Sequence, residues 1–297
     1  MKNNKIIVSI ITPFYNCKKL LINHINQTKK IALDFSVEFI YIDDGSNDYG
    51  YEFIRKNIKK YKNIKLLKLK KNCGPGIARN LGMKTAKGKY LIFLDSDDSL
   101  INLGFKNLIK KIKKKFNYDI VFFDYVKKNS KQVNLSRIKL RKNLLIKKFL
   151  RTELDMGPNF YLYKKNFINK NKIFFNDGYY EDILFILKIF TKMKRFWQFK
   201  HKVYKKNKLK NSITNTYSLK HIKDFVKSCI DKKKYFYLNV LNKIEDVNSK
   251  DLQYGLRGDY VFANKILKNC KLPLKKVEMI DIFFKKIISK KFIALTT

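Results

Sequence analysis

The chain has 297 residues, of which 45% are hydrophobic and 14% aromatic, and its formal net charge is +43. This composition argues against a disordered chain and indicates one large folded domain, or one domain with a smaller appendage. The charge suggests nucleic acid or a membrane surface as a partner. However, only seven of the 67 basic residues are arginine, which reads bases and phosphates better than lysine, and this argues against specific nucleic-acid recognition.

The cysteines and the apolar runs indicate the compartment. The four cysteines show no C-x-x-C pair and no zinc-ligand spacing, which predicts free thiols in a reducing environment. The apolar run at the N-terminus is too short for the core of a secretory signal. No run approaches the ~18 apolar residues that a membrane-spanning helix needs. We therefore expect a cytoplasmic protein.

The first part of the chain alternates between short apolar runs and amphipathic segments. The runs predict strands at 6–11, 37–42, 64–69, 90–94 and 119–125. The amphipathic segments predict helices at 17–33, 49–61 and 101–116, and a further helix through Ala78, Leu81 and Met83. Such alternation predicts an α/β fold with parallel βαβ units, in which helices cover both faces of a mostly parallel central sheet.

Beyond residue 126 the pattern changes gradually from strands to helices. The segment 127–151 predicts a surface helix, 159–163 a strand and 181–194 a helix. A Lys- and Asn-rich stretch follows, for which we expect a strand and a loop. From Ser218 onward only helices are predicted. We therefore place an approximate boundary, at which the composition changes little, between a sheet-containing domain at 1–216 and a C-terminal helical region at 217–297.

Polar motifs follow three of the predicted strands. They are Thr12-Pro13, the segment from Asp43 to Ser46, and the segment from Asp95 to Asp98. Parallel strands bring their carboxyl ends to the same edge of a sheet, where open α/β sheets bind their ligands. A purely structural protein has no reason to collect acids repeatedly on one edge. The sequence therefore predicts a ligand site there.

The third motif carries the highest density of acids. Asp95, Asp97 and Asp98 follow a buried strand, so their charge would be costly unless a cation lies among them. Hard carboxylate oxygens suit Mg²⁺ or Mn²⁺, and such ions usually share their shell with phosphate oxygens. The structural alternative is that Asp97 or Asp98 only caps the following helix.

Five motifs together resemble the inverting family-2 glycosyltransferases of the GT-A fold. The motifs are SIITPFYN at 9–16, YIDDGSND at 41–48, GPGIARNLGMKTAKGKYLIFLDSDD at 74–98, FYLYKKNFI at 160–168 and YYEDILF at 179–185. The order and the spacing match as well as the content, over about residues 6–216. The resemblance implies a GT-A nucleotide-sugar-binding fold for the domain at 1–216, with the helical region at 217–297 as an extension.

The resemblance also implies a donor site for a UDP-sugar and a divalent metal, Mn²⁺ or Mg²⁺. The donor residues implied are Thr12, Pro13, Asp43, Asp44, Arg79, Asp95 and Ser96, and the metal residues are Asp97 and Asp98. A carboxylate at Asp44 can accept the imide N–H of uracil, and Arg79 lies in a helix that a glycine-rich loop opens, facing diphosphate. The alternatives are a turn with Asx bonding for Asp43 and Asp44, and a solvated helix position for Arg79.

The chemical step is assigned by the same resemblance. Inverting transfer needs a base that takes the proton of the acceptor hydroxyl, and a carboxylate suits this role. The match implies Asp182 as the base and Glu181 as its neighbour in the acceptor site. The alternative for both is an ordinary acidic helix N-terminus, which the helix dipole favours. The chain departs from many family members at Lys206, where a second aromatic residue is common, which leaves the acceptor side open.

The expected activity is a metal-dependent hexosyl or N-acetylhexosaminyl transfer to a bacterial-type surface polysaccharide or lipooligosaccharide. An anionic or lipid-linked glycan acceptor would fit the basic surface. The amphipathic segment 275–292 predicts a helix that either contacts anionic lipid at the inner face of the cytoplasmic membrane or packs on the domain. The alternative class is a basic nucleic-acid-binding protein, which does not explain the polar motifs at three strand ends or the acids in two of them.

Overall fold

A computed structural model provides the structure of the chain. It describes residues 5–33, 36–113, 116–127, 141–154, 157–207 and 218–269, and the positions 278, 282, 285 and 287. The chain divides into two compact units. Unit 1 comprises residues 1–139, 157–178 and 192–209. Unit 2 comprises residues 140–156, 179–191 and 210–297.

Eight strands of unit 1 form one sheet. They are β1 Val8–Phe14, β2 Val37–Asp43, β3 Ile64–Lys68, β4 Tyr90–Phe93, β5 Ser99–Leu100, β6 Ile120–Lys127, β7 Tyr161–Lys164 and β8 Phe196–Lys206. Their spatial order is β3-β2-β1-β4-β7-β6-β8-β5. Strands β3, β2, β1 and β4 run parallel, as do β6 and β8. The remaining pairings, β4 with β7, β6 with β7 and β5 with β8, are antiparallel.

The described residues also form nine α-helices and one short 3₁₀ helix, Pro158–Phe160. The α-helices are α1 Lys18–Ile31, α2 Gly50–Ile58, α3 Pro75–Thr85, α4 Asn102–Ile112, α5 Lys142–Leu150, α6 Lys165–Lys170, α7 Asp182–Lys192, α8 Leu219–Asn239 and α9 Ser249–Asn269. The predicted strands and helices of the first 125 residues are all present, within a few residues of the expected bounds. The two-residue strand β5 and the helix α6 are not predicted by the sequence pattern.

The core of unit 1 explains why its strands are continuous apolar runs. Every residue of β1, β2 and β4 is buried. Helices cover both faces of the sheet, with α3 packed against β1 and β2 and α4 against β8. A strand that is buried on both faces has no solvent side, so its sequence does not alternate between apolar and polar residues. The predicted α/β class with a mostly parallel sheet is confirmed.

Unit 2 is helical in its described part. Helix α5 packs against α9, where Arg151 Nε donates to Asp251 Oδ1 at 3.0 Å. Helix α5 also contacts α7 through the rings of Phe149 and Phe190, whose centroids lie 5.6 Å apart. From Ser218 onward the described residues form no strand, as expected from the sequence. No helix among the described residues is long and apolar enough to cross a bilayer.

The contact-based units differ in outline from the predicted domains. Unit 2 takes in residues 140–156 and 179–191 together with the C-terminal part of the chain. The helical region expected at 217–297 is therefore one part of unit 2, and the boundary near residue 216 stays a prediction. The predicted amphipathic helix at 275–292 lies outside the described residues, apart from four isolated positions.

Candidate active site

Three carboxylates cluster directly after β4, in the loop that leads to β5. Asp95, Asp97 and Asp98 each offer one oxygen, and these oxygens lie within 4.8 Å of one another. The backbone N–H of Asp98 donates to the carbonyl of Asp95 at 3.0 Å, so a tight turn holds the three residues together. In the described part of the chain, no other group of three His, Cys, Asp or Glu side chains has metal-ligand spacing.

Two of these acids have raised pKa values, which indicates that the cluster holds more negative charge than its surroundings compensate. Burial, reinforced by the charge of Asp95, raises the pKa of Asp97 to about 6. Burial, together with the charges of Asp95 and Asp97, raises the pKa of Asp98 to about 7. A divalent cation would compensate this charge, and carboxylate oxygens are the ligands that Mg²⁺ and Mn²⁺ prefer. The residues present therefore fit a divalent metal.

Asp95 has a different environment from its two neighbours. Arg79 Nη2 donates to its Oδ1 at 3.0 Å, and Asn159 Nδ2 donates to its Oδ2 at 2.6 Å. Burial is the largest single influence and would raise the pKa of Asp95, but Arg79, Lys206 and Asn159 together outweigh it and hold this pKa below its ordinary value. Asp95 is thus a charged carboxylate that already has a cationic partner, whereas Asp97 and Asp98 carry the excess charge.

Strand β8 and the residue that follows it make contacts with the acids that the sequence did not reveal. The Tyr204 hydroxyl donates to Asp98 Oδ2 at 2.5 Å, and the backbone N–H of Asn207 donates to Asp98 Oδ1 at 2.8 Å. The Asn207 side chain donates to the carbonyl of Asp97 at 2.8 Å. Lys206 lies between Tyr204 and Asn207 in the sequence. Its positive charge lowers the pKa of Asp95 and opposes the rise in the pKa of Asp97. The chain therefore has a cation beside the acids at the position where related members often carry an aromatic residue.

Asn159 is the other contact residue that sequence reasoning missed. It lies in the 3₁₀ helix just before β7, and β7 pairs with β4, the strand that ends at the acids. One signal was available, since Asn159 immediately precedes the FYLYKKNFI motif. The sequence does not reveal, however, that this motif forms the antiparallel neighbour of β4.

The polar motif at 43–46 holds nearby backbone segments through hydrogen bonds to its two carboxylates. Asp44 is buried, and its two oxygens accept the backbone N–H groups of Cys73 and Gly74, each at 2.8 Å. This carboxylate therefore holds the loop that opens α3, the helix that carries Arg79. Burial raises the pKa of Asp44. Its neighbour Asp43 accepts the backbone N–H of Ser46 at 2.9 Å, which is the Asx-type turn expected as the alternative for this pair.

The first polar motif lies at the end of β1. Thr12 and Pro13 are both buried, and Thr12 Oγ1 has no hydrogen-bond partner among the described residues. A buried hydroxyl without a partner is unfavourable, so a ligand atom or water is expected at this position. In the loop after β4, Ser96 Oγ accepts a hydrogen bond from Cys17 Sγ at 3.3 Å, which joins the start of α1 to the acidic loop.

The predicted site residues are distributed over both units. The donor and metal residues predicted from the sequence, Thr12, Pro13, Asp43, Asp44, Arg79, Asp95, Ser96, Asp97 and Asp98, belong to unit 1. Glu181 and Asp182 belong to unit 2, where Asp182 is the first residue of α7 and Glu181 is buried. The assignment of roles to these residues stays a prediction.

Comparison with known proteins identifies the family. The family model described as glycosyl transferase family 2 matches residues 9–178, more than half of the chain. The chain belongs to glycosyl transferase family 2. This membership favours the glycosyltransferase over the nucleic-acid-binding alternative. The match includes every predicted donor and metal residue and ends just before Glu181.

Several curated glycosyltransferases are similar to this family member. Cholesterol galactosyltransferase of Borreliella burgdorferi is 33% identical over 205 residues, which are 62% of this chain and 55% of that protein. Poly(ribitol-phosphate) beta-N-acetylglucosaminyltransferase TarP of Staphylococcus aureus is 33% identical over 203 residues, 64% of this chain and 59% of that protein. Poly(ribitol-phosphate) beta-glucosyltransferase of Bacillus spizizenii is 28% identical over 208 residues. The matches span between 30% and 59% of the length of these relatives.

Solved structures show the same fold at lower identity. S. aureus TarS 1–349 in complex with UDP-GlcNAc has a TM-score of 0.63 and 18% identity, covering 95% of this chain and 90% of that one. The mannosyltransferase PcManGT from Pyrobaculum calidifontis, in complex with GDP-Man and Mn²⁺, has a TM-score of 0.53 and 13% identity, covering 97% and 82%. The GT-A fold implied by the sequence resemblance is thereby confirmed.

Proposed function

We propose that this family-2 glycosyltransferase transfers a hexosyl or N-acetylhexosaminyl group from a UDP-sugar to a bacterial-type surface glycan, with inversion and with a divalent metal. One observation carries the proposal. The acidic cluster at the carboxyl end of β4 holds two carboxylates with raised pKa values, about 6 for Asp97 and about 7 for Asp98, beside a third that Arg79 neutralises. Two carboxylates without a compensating charge could hold a divalent metal, and the metal and Arg79 could together bind a diphosphate.

We assign the metal to Asp97 and Asp98, with Mn²⁺ or Mg²⁺ as the ion. Their oxygens carry the uncompensated charge, whereas both Asp95 oxygens already accept hydrogen bonds from Arg79 and Asn159. When bound, the ion would stabilise the negative charge that develops on the departing nucleoside diphosphate. Asp95 would then contact the ribose or the sugar through its remaining lone pairs. Arg79 keeps its charge at the same edge and can contact the diphosphate.

We assign the base pocket to Thr12, Pro13 and Asp44, with Asp43 shaping the turn beside it. Each Asp44 oxygen accepts one backbone N–H and keeps a lone pair, so this carboxylate can still accept the imide N–H of uracil. The buried Thr12 hydroxyl offers a further partner for the base. The complex of TarS with UDP-GlcNAc supports a uridine donor through the shared fold.

We assign the proton transfer to Asp182, with Glu181 beside it in the acceptor site. The acceptor hydroxyl oxygen attacks the anomeric carbon, the bond from this carbon to the diphosphate oxygen breaks, and UDP leaves with the electron pair. The carboxylate of Asp182 takes the hydroxyl proton, and the configuration at the anomeric carbon inverts.

An anionic acceptor is proposed from the charge of the chain. The net charge of +43 favours association with a polyanion, and two relatives are named as poly(ribitol-phosphate) transferases. A lipid-linked glycan or a lipooligosaccharide that carries phosphate or carboxylate groups would offer negative charge in the same way. Contact of segment 275–292 with anionic lipid at the inner face of the cytoplasmic membrane is part of this proposal and is tested by liposome flotation with and without residues 275–297.

The test of the proposed function is release of the nucleoside diphosphate from a panel of UDP-sugars, with GDP-mannose, which would release GDP, as a nucleotide control, in the presence and absence of Mn²⁺. We compare the wild type with Asp97→Ala, Asp182→Ala and the exposed-acid control Glu52→Ala. We expect Mn²⁺-dependent release from at least one UDP-sugar, loss of metal binding in Asp97→Ala, and loss of turnover with retained UDP binding in Asp182→Ala. Absence of binding and turnover for every UDP-sugar would overturn the proposal.

A further inference from the structure

The chain enters α7 through a strained turn, directly before the proposed base. Gly178 has a φ of +88° and Tyr180 a φ of +61°, so two of three successive residues adopt the left-handed region. A tyrosine in this region is unfavourable and persists only where its surroundings hold it. An ordinary helix start requires no such conformation. The question is therefore what holds this turn.

The first turns of α8 hold Tyr179. Asp224 Oδ2 accepts the backbone N–H of Tyr179 at 3.0 Å. The ring of Tyr179 stacks on the ring of His221, with centroids 3.8 Å apart and an interplanar angle of 12°. Lys220 Nζ lies 5.4 Å from the Tyr179 centroid. The backbone and the side chain of this one residue are thus both fixed from α8.

His221 is itself fixed at the beginning of α8. Ser218 is the N-cap of the helix, and its hydroxyl lies 2.8 Å from His221 Nδ1 and accepts the backbone N–H of His221 at 3.4 Å. His221 is 6% exposed, and burial lowers its pKa. The imidazole is therefore a neutral, flat platform at neutral pH, held in one orientation under the Tyr179 ring.

Tyr180 is held from the same face of α8. Its ring lies 4.8 Å from that of Phe225 and 6.1 Å from that of Phe262 on α9. His221, Asp224 and Phe225 are three and four positions apart, so they lie on one side of the helix. This side of α8 holds both tyrosines of the turn.

We infer that His221 and Asp224 are positioning residues, which hold the turn at 178–180 so that the first turn of α7 presents the Asp182 carboxylate in one direction. This inference rests on the proposed function, in which Asp182 is the base. Displacing a catalytic group by about 1 Å can cost about a hundredfold in rate, so a rigid entry to α7 has catalytic value. We propose no contact of either residue with the substrate.

The test uses two matched pairs of variants in the full chain. His221→Ala removes the stacked ring, and His221→Phe keeps a flat ring. Asp224→Ala removes the acceptor of the Tyr179 N–H, and Asp224→Asn keeps an acceptor oxygen. Lys223→Ala, an exposed position on the same helix, is the control. We measure kcat and KM for UDP release with the best UDP-sugar and Mn²⁺, the Kd of UDP, and amide exchange over residues 179–183.

We expect both alanine variants to lose about 10- to 100-fold in kcat with unchanged donor KM and UDP affinity. His221→Phe and Asp224→Asn should restore kcat to within about threefold of the wild type, and Lys223→Ala should match it. The Tyr179 amide should exchange fastest in Asp224→Ala, which loses the acceptor of this N–H, and should also exchange faster than in the wild type in His221→Ala.

Three results would overturn the inference. They are an unchanged kcat in both alanine variants, a parallel loss of kcat and UDP affinity, and failure of Phe and Asn to restore the rate. Unchanged exchange of the Tyr179 amide in Asp224→Ala would by itself refute the contact that holds the turn. A wild type that binds no UDP and turns over no UDP-sugar would instead overturn the proposed function.

Discussion

The Tyr204 hydroxyl donates a hydrogen bond to Asp98 Oδ2 at 2.5 Å, from a strand that follows the acid by more than a hundred residues. The bond opposes the rise in the pKa of Asp98 that burial and the neighbouring carboxylates cause. Tyr204 thus favours the ionised form of Asp98, one of the two carboxylates that we propose as metal ligands. If Asp98 binds the proposed metal, Tyr204 should therefore influence the affinity of the site for the ion.

Tyr204→Phe should weaken Mn²⁺ binding at pH 7 by roughly tenfold, because a hydrogen bond to a charged group is worth about 1.5–3 kcal/mol and Asp98 would become harder to ionise. Isothermal titration with Mn²⁺ measures the affinity. Tyr118→Phe, which removes a hydroxyl from another part of unit 1, serves as the control. Equal Mn²⁺ affinity in wild type and Tyr204→Phe would show that this hydroxyl does not influence the site.

The affinity for Mn²⁺ should rise steeply with pH between 5 and 8. Asp97 and Asp98, with pKa values near 6 and 7, must lose their protons before the metal can bind, so protons compete with the ion below pH 7. Titration at several pH values, with the proton release measured from buffers of different ionisation enthalpy, checks this. A flat pH profile contradicts the assignment of these two residues.

Asp97→Asn should stabilise the metal-free protein at pH 8. The pKa of Asp97 rises from 3.8 to about 6 on folding. In the pH range around and between these two values, the folded state therefore binds more protons than the unfolded state. The free energy of unfolding of the wild type therefore falls as the pH rises through this range. Asp97→Asn does not lose this stability, because asparagine does not titrate. We expect a gain of about 1 kcal/mol at pH 8, after allowing for solvent screening, and a smaller gain towards pH 4.

Urea unfolding at both pH values, with and without Mn²⁺, measures the effect of Asp97→Asn. Added Mn²⁺ should reverse the order and favour the wild type, because only the wild type binds the ion with both carboxylates. Glu52→Gln, an exposed acid on α2, should change stability by less than about 0.5 kcal/mol at either pH. A wild type that is the more stable protein without metal at pH 8 would argue against charge repulsion in the cluster.

Gly255→Ala should destabilise unit 2. A Cβ at Gly255 would lie 1.6 Å from the backbone carbonyl oxygen of Leu150, so α5 and α9 would have to move apart, at a cost of about 1–3 kcal/mol. Gly258→Ala on the same helix is the matched control. Its Cβ would lie 3.3 Å from Thr152 Oγ1, and the gain of about 1 kcal/mol in helix propensity should leave that variant neutral or more stable. Thermal unfolding of both variants decides the comparison.

Local patterns in the chain were sufficient for most elements of the sheet and for the acids at its edge, while the roles of the predicted donor residues stay a prediction. The apolar runs that end at Thr12, Asp43 and Asp95 are parallel neighbours in the structure, so their carboxyl ends meet at one edge, as their spacing predicts. Strand β5 was missed because two residues carry no periodicity. Asn159, which directly precedes β7, and Tyr204 on β8 were missed because these strands reach the site by pairing with strands that are distant in the chain, which no local pattern encodes.

The sequence by itself determined the family, the α/β class and the collection of acids after β4, because these depend on residue type and short-range order. Only the tertiary structure decided how the acids differ. Arg79 forms an ion pair with Asp95 from 16 residues away, Asn159 donates a hydrogen bond to it from 64 residues away, and Tyr204 reaches Asp98 across 106 residues. The charge state of a buried carboxylate is set by the groups that folding brings within a few ångströms, and these are distant along the chain.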